Sequence, residues 1–371
     1  MDRGKRASNI AARNSKIYMD LKDIIRESAL PFLPAKSLFR FRGVCRDWKL
    51  QIASPFFAHT QSLAFRAVSG LFYQPLNHLP SFISLDPNSY GVPDPSLKFL
   101  PVPVHIRSSS NGLLCCQGIT GDKAYYICNP VTRQWKKLPI PSANHGKDPS
   151  VVLVYEPSLL DFEAVYRLIC AFPSSDFDDA TEFEIYSSKE GSWRTSGEIC
   201  FARWKVNSSL GVHVNGVVYW QGNQGKIHAF DLAKERFQVL SASHGLNACL
   251  GLINGKLSLA YASGRTLLVK VLANAHQNTM QMTSCETMWA DKYHIHLNSA
   301  VFGGEAYENA KVLCLHDDWV LIEIGKALYT YDLKTGNVKE TCKAPEYGAR
   351  TYHEIMDVVA PKKNEIMDVV K

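Results

Sequence analysis

YYICNPVTRQWKKL, Tyr125 to Leu138, joins an apolar run to a small polar turn at Asn129-Pro130 and then to a second run containing Trp135. β-Branched and aromatic residues bounded by turn formers read as the two strands of a hairpin. The same unit recurs as FISLDPNSY (Phe82–Tyr90), FEIYSSKEGSWRT (Phe183–Thr195), IHAFDLAKERFQVL (Ile227–Leu240), VKVLANAHQNTMQM (Val269–Met282) and LYTYDLKTGNVKET (Leu328–Thr341). With Asp86, Asn129, Ser187, Asp231, Ala273 and Asp332 as turn markers, the spacings are 43, 58, 44, 42 and 59 residues. They centre on the ~40–50-residue period of a four-stranded propeller blade, with two spacings lengthened by insertions. Six units predict six blades around a channel, closed by sheets from both ends of the chain.

Each unit has a physical logic. An Asn or Asp at the marker can satisfy backbone donors of its own turn, and Trp135, Trp193 and Phe237, each six residues past a marker, are expected to fill the space between sheets. NGLLCCQG, SVVLVY, NGVVYWQG and INGKLSLAY supply further strands. The hexapeptide EIMDVV occurs at Glu354–Val359, where it suits a closing strand, and again at Glu365–Val370. None of the ten cysteines forms C-x-x-C, and Cys115, Cys128, Cys170, Cys200 and Cys314 lie in apolar runs as small hydrophobes.

Before residue 62 the periodicity is helical. Leu21, Ile24, Ile25, Ala29 and Leu30 share one face, and Leu38, Phe41, Val44, Cys45 and Trp48 recur three and four apart, with Lys36, Arg40, Arg42 and Arg46 elsewhere. Gly43 separates two short helices, the second predicted from about Val44 to Ala53 and ending before Ser54-Pro55. The organisation expected is a basic, disordered tail (1–16), a helical module (17–61), a propeller (62–360) and a tail (361–371). The net charge of +6 resolves into +4 over residues 1–16, +3 over 17–60 and −1 over the rest. A neutral large domain argues against nucleic acid, and no apolar run approaches the ~18 residues of a membrane span. The N-terminal stretch lacks the apolar core of a secretory signal, so the nucleus or cytoplasm is expected.

LPAKSLFRFRGVCRDWKLQIASPFF, Leu33 to Phe57, resembles the second half of an F-box, the module that docks on the Skp-type adaptor of a cullin ubiquitin ligase. RSSSNGLLCCQG followed by YYICNPVTRQWKKLP resembles the start of the F-box-associated domain of plant F-box proteins, a kelch-like propeller region. The Leu-Pro pair that usually opens such a box is replaced here by YMDLKDII. What the resemblance implies is a small all-α F-box followed by an all-β kelch-like propeller, acting as a non-catalytic substrate receptor. It also implies that Leu21, Ile24, Ile25, Leu33, Pro34, Lys36, Leu38, Phe41, Val44 and Trp48 meet the adaptor, and through it the ligase. An unidentified target protein is expected on the propeller, at the two long segments between units, about 142–181 and 275–304. Candidate anchors there are Phe172, Phe177, Trp289, Tyr293 and His294.

Catalytic patterns are weak. GITGDK (Gly118–Lys123) has the wrong spacing for a phosphate loop, His294 and His296 lack further ligands, Asp176, Asp178 and Asp179 read as a solvated loop, and Ser243-His244 has no nucleophile context. Some kelch propellers are copper oxidases with a Tyr, Cys and His cluster, but spacing assembles none here. No cofactor or metal is expected. The alternatives are a metal-dependent, oxidase-like propeller enzyme, or a scaffold that binds the adaptor without recruiting a cullin.

Overall fold

The continuous apolar runs become strands with no solvent-facing side. Every residue of LLCCQG and of YYICN is buried, and such strands need a neighbour on each face. The computed structural model describes residues 21–33, 35–64, 68–74, 78–84, 92–146, 148–157, 164–201, 211–222, 225–242, 248–273, 289–297, 310–325, 327–343 and 354–359. The chain divides into two compact units, Met1–Arg66 and Ala67–Lys371. Residues 1–16, the marker Asp86, Ser243-His244 and the 361–371 segment with the second EIMDVV lie outside the described residues. No described helix is long and apolar enough to cross a membrane.

The first unit is helical: α1 (Leu21–Ser28), a 3-10 turn (Leu30–Phe32), α2 (Ala35–Phe41), α3 (Arg46–Ile52) and α4 (Pro55–Ala64). Leu30, Leu38, Ile52 and Phe57 form its core, with Ile25, Leu33, Phe41 and Trp48 packed around them. The Phe41 and Trp48 rings meet edge to face at 5.5 Å. α3 starts two residues later than the periodicity predicts because the Cys45 thiol accepts the Trp48 N–H and caps it. Ser54-Pro55 is a start as well as a stop. Ser54 Oγ accepts the Phe57 N–H at 3.2 Å, and Pro55 takes the first position of α4, where its missing N–H costs nothing. The Gln61 amide donates to the Leu33 carbonyl at 3.0 Å and ties α4 back to the 3-10 turn.

The second unit begins with β1 (Val68–Gln74) and β2 (Ser81–Ser84). Four-stranded antiparallel meanders follow. The first is β3 (Val104–Ser110), β4 (Leu113–Gly118), β5 (Tyr125–Asn129) and β6 (Gln134–Lys137). The second is β7 (Ser150–Pro157), β8 (Ala164–Pro173), β9 (Thr181–Ser187) and β10 (Ser192–Cys200). The third is β11 (Val212–Val214), β12 (Val217–Gln221), β13 (Lys226–Asp231) and β14 (Arg236–Ser241). The fourth is β15 (Cys249–Ile253), β16 (Lys256–Ser263), β17 (Thr266–Leu272) and β18 (Trp289–His296). The fifth, β19 (Lys311–His316), β20 (Trp319–Ile324), β21 (Ala327–Asp332) and β22 (Val338–Lys343), meets the fourth through one parallel bridge, Leu252 to His316. β23 (Glu354–Val359), the first EIMDVV, returns to pair antiparallel with β1 on the side away from β2.

The first strands of the meanders surround a central cavity of about 260 Å3, lined from β3, β7, β11, β15 and β19, so the sheets are set in a propeller-like way. The inner strands come very close. A Cβ on Gly251 would stand 1.9 Å from the Leu315 carbonyl oxygen, which is why that position is glycine. Gln74, 5 % exposed, bridges two sheets by donating to the Val104 carbonyl at 2.8 Å and accepting the Ile106 N–H at 2.9 Å.

The marker turns behave as their residues predict. The side-chain oxygens of Asn129, Asp231 and Asp332 each accept two backbone N–H groups of their own turn. Four residues past Asn129, Ser187, Asp231 and Asp332 the backbone is left-handed, with φ of 60° at Arg133, 68° at Gly191, 51° at Glu235 and 72° at Gly336. Trp193 and Phe237 pack between sheets as expected, but Trp135 remains 37 % exposed. It pairs with Cys128, whose face packs against Phe72 of β1. Arg133→Gly should raise the urea-unfolding free energy by up to about 1 kcal/mol, and Gly336→Ala should lower it by a similar amount, about 1 kcal/mol.

His228 on β13 lies opposite Trp220, fully buried, and neither ring nitrogen has a hydrogen-bond partner among the described residues. Burial lowers its pKa from 6.5 to about 4. As pH falls from 6.5 towards 4 the unfolded chain therefore binds a proton that the folded chain refuses, and stability drops. Urea unfolding at pH 7 and pH 5 should show a loss of about 2 kcal/mol from this group, absent in His228→Leu.

Candidate docking surfaces

Among the described residues the helical unit leaves six large apolar side chains exposed. Leu21, Ile24, Phe32, Val44, Leu50 and Phe56 are each at least 45 % exposed. Leu21 and Ile24 lie one turn apart on α1, while Ile25, Leu33, Phe41 and Trp48 turn inward to pack on the core. Leu38, expected at the interface, is buried at 4 %, so it shapes the surface from beneath. Pro34 and the Lys36 side chain lie outside the described residues. Exposed Arg40, Arg46 and Lys49 accompany the apolar set. Phe32 and Leu50 escaped the sequence reading, and Phe56 belongs to the F-box-like stretch without being among the contacts expected there. Phe32 sits in the proline-rich ALPFLP, where helical periodicity carries no signal, and Leu50 and Phe56 fall off the apolar stripe that defines the core.

On the β unit, the two segments expected as long loops carry strands. Residues 142–181 include β7 and β8, and 275–304 includes β18, paired along its length with β17. Their apolar runs pair because buried backbone must be hydrogen-bonded. Phe172 is a core residue, 3 % exposed, with its ring 4.6 Å from that of His145. Trp289 and Tyr293 are half-buried against neighbouring sheets, and Lys292 Nζ lies 5.6 Å from the Tyr293 ring. His294 is exposed, 3.4 Å from Asp291, which also pairs with Lys270 at 3.5 Å. Phe177 is different. It tops the β8–β9 turn, 47 % exposed, edge to face with the still more open Phe201 at 5.3 Å. The turn is held by Ser174, whose Oγ accepts the Asp176 and Phe177 N–H groups at 3.1 and 3.2 Å and donates to Glu182.

A buried polar cluster lies between the first two meanders. Tyr125 Oη is 2.9 Å from His145 Nδ1, Cys170 Sγ is 3.1 Å from the same nitrogen, and His145 Nε2 is 2.6 Å from Glu184 Oε2. The Tyr, Cys and His grouping that spacing failed to reveal therefore exists, from residues 20 to 45 positions apart. Burial pushes the Tyr125 phenol well above its usual range. For His145 burial acts downward, but Cys170 and the Glu184 carboxylate outweigh it and raise the imidazole to about 9. Burial alone would raise Glu184, yet the His145 contact and the Ser142 and Ala143 N–H groups hold it below the ordinary carboxylate range. Among the described residues no three His, Cys, Asp or Glu side chains converge on one ion position.

A family model of the F-box associated beta propeller domain matches residues 92–282, more than half of the chain. The chain belongs to the F-box-associated β-propeller family. The match includes RSSSNGLLCCQG and YYICNPVTRQWKKLP, the stretches that resemble the F-box-associated domain of plant F-box proteins. Relatives of this F-box-associated protein include one F-box protein of Arabidopsis thaliana that is 41 % identical over 203 residues, covering 51 % of this chain and 54 % of its own length. A second F-box protein of that plant is 26 % identical over 321 residues, covering 80 % of this chain and 74 % of its own. A putative F-box/kelch-repeat protein is 27 % identical over 197 residues, 48 % of this chain and 46 % of its own. The chain thus spans about half the length of the first relative and three quarters of the second.

Phe172→Ala should destabilise the protein by about 3–5 kcal/mol. Phe177→Ala should change stability by no more than about 0.5 kcal/mol, and thermal unfolding of the two variants separates a core ring from a surface one.

Proposed function

We propose that the chain is the substrate-recognition subunit of an SCF-type ubiquitin ligase, with the helical unit as its F-box and a six-bladed, kelch-like propeller as its target receptor. The observation that carries this reading is the helical unit's exposed apolar set. A core of four buried side chains is marginal alone, and six uncovered large apolar residues beside cations suit an acidic, partly apolar adaptor. Leu21, Ile24 and Val44 would touch the Skp-type adaptor directly. Leu38, Phe41 and Trp48 would set the shape they present, and Pro34 and Lys36 retain the role that the resemblance implies. Family membership and the named relatives support the same assignment.

Five four-stranded meanders and the β2–β1–β23 sheet, six sheets among the described residues, support the six-blade reading. The target is proposed to meet Phe177 with Phe201, and Trp289, Tyr293 and His294 on β18. The chain itself performs no transfer chemistry. It holds a target near the ubiquitin-loaded enzyme and raises the effective concentration of target lysines there. Such a subunit works in the nucleus or cytoplasm.

A pull-down with purified Skp-type adaptor tests the reading. Intact chain should be retained, and Val44→Glu with Leu50→Glu, which spares the core, should lower retention at least about tenfold. Folded wild-type chain that is not retained, or a double variant retained equally, overturns it. Reconstituted cullin recruitment separates a receptor from a scaffold.

A further inference from the structure

Two phenylalanine rings of the second meander meet each other in solvent. Cys200 closes β10 opposite Thr181, so the chain brings Phe201, 68 % exposed, beside the β8–β9 turn that carries Phe177. That turn is internally braced. The Ser174 N–H donates to the Ala180 carbonyl at 2.9 Å, the Ala180 N–H donates to the Phe177 carbonyl at 3.4 Å, and Asp179 takes a left-handed φ of 59°. A ring carried on a braced turn loses little freedom when a partner covers it. Single apolar side chains are ordinary on a surface, but contacting ones rimmed by polar residues mark an interaction site. The β4–β5 turn, which holds the same place in the first meander, also carries an exposed apolar residue, Ile119.

The rim around the rings selects the partner. Between Arg167 and Lys189 the sequence holds Asp176, Asp178, Asp179, Glu182 and Glu184 and no Lys or Arg. Glu184 is buried against His145, whereas the three aspartates are exposed and form no ion pair among the described residues. Asp176 Oδ1 accepts only the neighbouring Ser175 hydroxyl, at 3.2 Å. Arg203 and Lys205 follow Phe201 outside the described residues, and set against Asp176, Asp178, Asp179 and Glu182 they still leave two carboxylates in excess. A Lys or Arg side chain from a partner suits this place twice over. Its methylene stem lies along the rings, and its cation stands over a ring face or reaches a carboxylate. An acidic segment would meet like charge. We propose that the Phe177 and Phe201 pair is the docking point for a basic target segment in which Lys or Arg alternate with aliphatic side chains, an assignment that rests on the reading of the β unit as a target receptor.

The test pans a phage-displayed library of random peptides against the full chain, with a Phe177→Ala, Phe201→Ala chain as counter-selection and circular dichroism to show that every variant is folded. Enriched sequences are expected to carry several Lys or Arg among aliphatic residues. Fluorescence anisotropy of a labelled Lys/Leu peptide should then show binding that the double alanine variant weakens at least about tenfold. Asp176→Asn with Asp178→Asn and Asp179→Asn should weaken it several-fold and flatten its dependence on salt. Ring-dependent peptides that are acidic or uncharged overturn the proposal, as does a library with no ring-dependent peptide. So does a Glu/Leu or a Lys/Ser peptide bound as tightly as the Lys/Leu one, or a ring-dependent dimer in sedimentation, which would make a second copy the occupant. Neither phenylalanine belongs to the helical unit. The double alanine chain should therefore still be retained by the Skp-type adaptor, so a failure of peptide binding and a failure of adaptor binding are read separately.

Discussion

Each sheet of the β unit has two apolar faces, and neither can be left to water. On β8, Leu168, Cys170 and Phe172 pack with Leu113, Tyr125 and Ile127 of the first meander. Ile169 and Ala171, alternating with them, pack with Val218, Trp220 and Phe230 of the third. One strand therefore joins two cores, and its period of two divides the side chains between neighbours. A row of sheets built this way has no stable end, because the outermost always shows an apolar face. Returning the row on itself meets the constraint, and Leu71 and Tyr73 of β1 pack with Leu313, Leu321 and Leu328 of the fifth meander.

The same closeness dictates how polar groups are treated. Where inner strands converge there is no room for a Cβ at Gly211 or Gly251. Two polar side chains that cross a layer are engaged at both ends, in contrast to the buried His228. Gln74 uses both ends of its amide, and Arg107 donates to Gln117 at 3.0 Å and to Asp148 at 2.9 Å. With both faces of most sheets consumed by packing, exposed side chains are left to the turns and outer strands, which is where Phe177, Phe201 and His294 lie.

Much of this was legible in the residues. The marker turns at Asn129, Asp231 and Asp332 declared themselves because their chemistry is local, each side chain bonding two or three residues on. The helical stripe of Leu38, Phe41 and Trp48 was equally plain, although periodicity identifies the face turned inward and is silent on which outer residues are apolar by purpose. Ser54-Pro55 was legible as the stop of one helix but not as the start of the next, because the same dipeptide suits either side of a helix boundary. Phe172 was unreadable as core, since a ring near a predicted loop looks the same whether it points in or out. The Tyr125, His145, Cys170 and Glu184 cluster left no trace, for its members come from β5, a loop, β8 and β9 and meet only when two sheets stack.

The pairing of β1 with β23 also sets the order of events in time. Val68 and Val359 are partners separated by nearly the whole unit, and contacts of such sequence separation form late. From the moment β1 leaves the ribosome until residues 354–359 follow, on the order of tens of seconds at ordinary synthesis rates, one of its edges has no partner from its own chain. An unpaired edge is a template for any other extended chain. The hazard for this protein is therefore greatest during its synthesis, and it is measured by a waiting time that the stability of the finished ring does nothing to shorten.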